Sequence, residues 1–86
     1  MEKIDQAVKA LAEMGARRVI LFGSAVDHPE SANDVDLAVD GIAPRHILDA
    51  DVKVGEILRQ PYDLVCREED ADFFEIVSRY GRVLYG

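Results

Sequence analysis

The 86-residue sequence predicts an α/β domain, and three observations carry that expectation. Apolar residues recur at three-and-four spacing near the N-terminus, in the middle and near the C-terminus, as amphipathic helices require. Short β-branched runs, bounded by glycine, proline, serine or asparagine, lie between and beside them. A chain this short, 49% hydrophobic and 31% charged, holds one core, so residues 1–86 read as a single domain.

Taken in order, Ile4, Ala7, Val8, Leu11 and Met14 predict a helix from about residue 3 to 14, with Gly15 placed to end it in the left-handed region. RRVILF, Arg17 to Phe22, is continuous rather than alternating and reads as a strand buried on both faces. GSAVDHPESAN, Gly23 to Asn33, has no apolar period and reads as a loop. DVDLAV, Asp34 to Val39, alternates: Val35, Leu37 and Val39 share one face, and Asp34, Asp36 and Ala38 the other.

Ile47, Ala50, Val54, Ile57 and Leu58 predict a helix from about residue 44 to 59, with Pro44 in its first turn and Pro61 beyond its end. YDLVC, Tyr62 to Cys66, reads as a third short strand. After the acidic turn REED, Phe73, Ile76, Val77 and Tyr80 share one helical face, with Asp70 or Asp72 as the cap. Phe73, Phe74, Ile76 and Tyr80 are expected in the core, as is Cys66. RVLYG adds a brief extended segment after Gly81, so the expected sheet is mixed, with about three main strands flanked by helices.

Charge and composition exclude several functions. Ten basic against seventeen acidic side chains give a formal charge of −7, the wrong sign for autonomous binding to a nucleic-acid backbone. The longest apolar run, Val19 to Phe22, is far short of the roughly 20 residues that span a bilayer. The start MEKIDQ lacks a secretory apolar stretch, so no membrane association is expected and the location is read as cytoplasmic. A single cysteine rules out an internal disulfide, and with two separated histidines it leaves no thiolate zinc site. A metal here would be bound by oxygen.

The chemistry concentrates at Asp34 and Asp36. Aspartate is depleted from strands and costly to bury unpaired, so Asp36 between Val35 and Leu37 needs a compensating partner. Asp34 lies on the same face about 6 to 7 Å away at strand rise, near enough for both carboxylates to share a hard divalent cation such as magnesium or manganese. Asp63 in the third strand supplies a third carboxylate if that strand neighbours the second. Two ions about 3.5 to 4 Å apart would form a phosphoryl-transfer site, bridged by Asp34 and Asp36, with Asp63 on the second ion. Gly23 and Ser24, directly after the first strand, offer backbone amides and a hydroxyl to a triphosphate. His28 and His46 read as exposed, and the acidic clusters at 49–51 and 68–70 as solvated faces or as complements to a basic partner.

LFGSAVDHPESANDVDLAV resembles the glycine-serine, then aspartate-x-aspartate, signature of the nucleotidyltransferase superfamily related to DNA polymerase beta. The third aspartate in YDLV and the ending GRVLY resemble most the minimal nucleotidyltransferases, many of them antitoxins beside a helical HEPN partner. The resemblance runs from about Ile4 to Tyr85. It implies the polymerase-beta-like fold, Gly23 and Ser24 on the nucleoside triphosphate, and Asp34, Asp36 and Asp63 as catalytic residues and ligands of catalytic Mg2+. The loop departs from the family, with Ala25, Val26, Asp27 and His28 where an arginine and a glycine are common.

The expected function is therefore transfer of a nucleoside monophosphate, most simply AMP from ATP, to a hydroxyl of a partner protein. By resemblance that partner is a HEPN-type toxin, neutralised by adenylylation of a tyrosine. Two other readings stay open: a non-catalytic antitoxin that masks its partner, kept alive by the Asp27-His28 departure, and the catalytic subunit of a small-molecule nucleotidyltransferase.

Overall fold

A computed structural model describes residues 2–28 and 34–86; residues 29–33 of the expected loop lie outside that range. Three helices, α1 (Glu2–Glu13), α2 (Ile47–Leu58) and α3 (Ala71–Tyr80), accompany four strands, β1 (Arg18–Phe22), β2 (Val35–Asp40), β3 (Tyr62–Cys66) and β4 (Arg82–Tyr85). The strands form one mixed sheet in the order β3-β2-β1-β4. The segment after Gly81 is thus a full edge strand, and the sheet has four strands where the sequence predicted about three. No helix among the described residues is long and apolar enough to cross a membrane.

β1 explains why its sequence does not alternate. It lies between β2 and β4, antiparallel to both, and its two faces meet different cores. Val19 and Leu21 pack with Val35, Leu37 and Val39 against α1 and α2, while Ile20 packs with Ala38, Phe74 and Val77 of α3. Continuous apolar character is what a strand covered on both sides needs. β2 alternates because its second face is covered by apolar side chains only at Ala38.

The boundaries follow local chemistry. Gly23–Val26 form a short 3-10 turn rather than open loop, and Pro44–His46 form another that leads into α2. α2 ends at Arg59, which takes the left-handed conformation with φ 53° two residues before Pro61. Asp70 caps α3 by accepting a hydrogen bond from the Phe73 amide at 3.1 Å. The core expectation for α3 is corrected: Phe74 and Val77 are buried, whereas Phe73, Ile76 and Tyr80 are exposed. One helix lying on a sheet buries only the stripe beneath it, and the apolar arc of α3 is wider than that stripe.

The crossover from β2 through α2 makes β3 parallel to β2. A side-chain bond ties the start of β3 to α2. The Tyr62 hydroxyl donates to the Asp51 carboxylate of α2 at 2.7 Å, with the Asp51 carbonyl at 3.0 Å. Gly55 makes room for it, since a Cβ there would lie 2.9 Å from the Tyr62 oxygen. Tyr62→Phe is expected to destabilise the protein by about 1.5 kcal/mol, read as a lower urea midpoint with an unchanged m-value.

Candidate carboxylate site beside the Gly23-Ser24 turn

Asp36 sits near the start of β2, flanked by β1 on one side and β3 on the other. Phe22 is its antiparallel register partner and Asp63 its parallel one. Directly paired residues project to the same face, with backbones about 4.8 Å apart, so Asp36 and Asp63 stand side by side on the face that carries α3. The neighbourhood inferred for the second and third strands is therefore present. Asp34 is exposed and lies one residue before β2 rather than within it.

The Gly23-Ser24 turn meets this pair from the end of β1. Gly23 has φ +75°, and a Cβ built on it would run into the Asp36 carboxylate oxygen. The Asp36 side chain thus lies against the bare backbone of Gly23, a close approach that only glycine permits. Within the turn the Ser24 carbonyl accepts from the amides of Asp27 and His28. Ser24, Asp27 and His28 are all exposed. The sequence groups Gly23 with Asp36 only by motif; the structure brings them into contact.

Electrostatics couple the three carboxylates. Partial burial raises the Asp36 pKa above the ordinary aspartate value, and the charges of Asp63 and Asp34 push it further in the same direction. Among the described residues no three His, Cys, Asp or Glu side chains are already gathered tightly enough to hold an ion. The donor set nevertheless fits a hard divalent cation in chemistry: carboxylate oxygens only, two of them register partners, and mutual repulsion that such a cation offsets.

Sequence reasoning missed the apolar wall of this site. The Phe73 ring meets Phe22 edge-on, centroids 5.7 Å apart. Phe22 is the register partner of Asp36, so α3 contributes an exposed aromatic beside the carboxylates. The continuous run RVILF concealed it, because nothing in that run marks which face Phe22 takes.

A raised carboxylate pKa means that folding disfavours the charged form. That destabilisation is full above the raised value and disappears as the pH falls below the ordinary one. Asp36→Asn is therefore expected to raise Tm at neutral pH, with the gain vanishing by about pH 3. Asp63→Asn is expected to lower the titration midpoint of the Asp36 carboxyl, followed by carbon NMR. No family model matches this chain, and neither a curated protein nor a solved structure matches it.

Proposed function

We propose that this chain is a nucleotidyltransferase of the polymerase-beta-like kind, transferring AMP from ATP to a hydroxyl of a partner protein. The observation that carries the reading is the contact between Gly23 and Asp36, with Asp63 as the register neighbour of Asp36. It joins the Gly23-Ser24 turn, whose amide and hydroxyl suit phosphate oxygens, to a carboxylate pair on one sheet face. The resemblance of LFGSAVDHPESANDVDLAV to the family signature supports the same reading.

In this reading Asp34, Asp36 and Asp63 hold Mg2+, which supplies charge neutralisation at the phosphates and polarises the reacting oxygens. The Gly23 amide and the Ser24 hydroxyl donate to phosphate oxygens and fix the triphosphate against β2. The acceptor oxygen attacks the α-phosphorus, an O–P bond forms, and the bond to the β-phosphate oxygen breaks, releasing pyrophosphate. Asp63, exposed at the start of β3, takes the acceptor proton at a carboxylate oxygen. Phe22 and Phe73 exclude water from one side of the pair. The acceptor in this reading is a tyrosine of a helical HEPN-type protein, and the chain acts as its antitoxin.

Intact-mass measurement of such a partner, co-expressed with this chain, tests the reading. The partner gains one or more AMP units with the wild-type chain, and Asp36→Asn lowers the yield about a hundredfold or more. A complex that forms equally well with both chains and adds no mass overturns transfer and leaves an antitoxin acting by masking.

A further inference from the structure

Among the described residues the apolar flank of α3 is only partly covered: Phe73 meets Phe22, and the rest of the flank faces outward. Phe73 is 37% exposed, Ile76 54% and Tyr80 80%. Their spacing places them on one stripe, beside the buried stripe of Phe74 and Val77. Val83 of β4, 48% exposed, is the register partner of Ile20, so it lies on the same sheet face and extends the patch past Gly81. Exposed apolar residues gathered in this way mark an interaction surface.

The charges beside the stripe say what covers it. Asp72 and Arg79 are seven residues apart and share the outer margin of the stripe. Among the described residues neither has an ion-pair partner within the chain. The N-terminal end of α3 is mainly acidic, with Glu68, Glu69, Asp70, Asp72 and Glu75 against the single Arg67, and the C-terminal end carries Arg79 and Arg82. A surface acidic at one end and basic at the other complements itself when two copies meet antiparallel about a two-fold axis.

We infer that α3 docks antiparallel on α3 of a second copy about a two-fold axis. Ile76 lies near the axis against its own counterpart, and Phe73 packs on Tyr80 of the second copy. In an antiparallel pair the same margin of each helix meets, so Asp72 faces Arg79 of the second copy, twice by symmetry. A parallel pair would instead bring the two acidic ends together. The inference does not rest on nucleotidyl transfer.

Ten-residue helices with one flanking strand residue cover less than the roughly 1,600 Å² of a standard interface. A contact of that size falls in the class of weak, transient interfaces.

Sedimentation velocity across the micromolar to millimolar range tests the inference, with circular dichroism confirming that each variant folds. Wild type shifts from monomer to dimer, and Ile76→Ser weakens the association about tenfold or more. Asp72→Arg alone and Arg79→Asp alone each associate poorly, because like charges then face across the axis. An equimolar mixture of those two variants recovers the dimer, since each supplies the charge that the other lacks. A wild-type chain that stays monomeric at millimolar concentration overturns the inference and leaves the stripe to a different protein. A dimer indifferent to Ile76→Ser, or a mixture no better than its components, overturns the antiparallel pairing.

Discussion

Asp36 occupies a position that most sheets give to an apolar or uncharged residue, on an interior strand with hydrogen-bonded neighbours on both sides. Much of the surrounding arrangement follows from keeping a carboxylate there. Gly23 has no side chain, which leaves room for the Asp36 carboxylate. Asp63 beside it is exposed, so the second charge keeps its hydration. α3 places its apolar arc on Ile20 and Ala38, with Phe22 packed at the margin of that cluster and the Phe73 ring meeting Phe22 edge-on. The opposite face of the same strand buries Val35, Leu37 and Val39, and that burial holds β2 in register.

Parts of this were legible in the residues themselves. The alternation in DVDLAV assigned Asp36 and Val35 to opposite faces because a half-covered strand has a period of two. RRVILF announced a strand covered on both sides, and the glycine and proline boundaries fell where backbone chemistry placed them. Strand pairing was less legible. Whether Asp63 neighbours Asp36 depends on the α2 crossover and on the register in which β3 pairs with β2, and no local pattern encodes either. The last strand was faint for a related reason: RVLYG is short, and its pairing to β1 comes only with the closed sheet.

α3 shows where periodicity misleads. Phe73, Ile76, Val77 and Tyr80 share a helical face by spacing, and spacing alone reads that face as core. The sheet beneath the helix decides otherwise. Phe74 and Val77 take the centre of the contact, and Ile76 and Tyr80 are left to solvent. A helix whose apolar arc is wider than the face it covers has surface to spend on another molecule, and here that surface starts at Phe73, beside the carboxylates. The proposed chemistry and the proposed self-association therefore meet at one ring, although neither requires the other.

Manganese binding followed by amide NMR tests the central claim most directly, because the paramagnetic ion broadens only resonances near where it sits. The account predicts that substoichiometric Mn2+ broadens Gly23, Ser24, Asp36 and Asp63 first, that Mg2+ competes the effect away, and that Asp36→Asn removes it. Broadening centred on Glu68, Glu69 and Asp70, or spread evenly over the acidic surface, would contradict the site built from Gly23, Asp36 and Asp63.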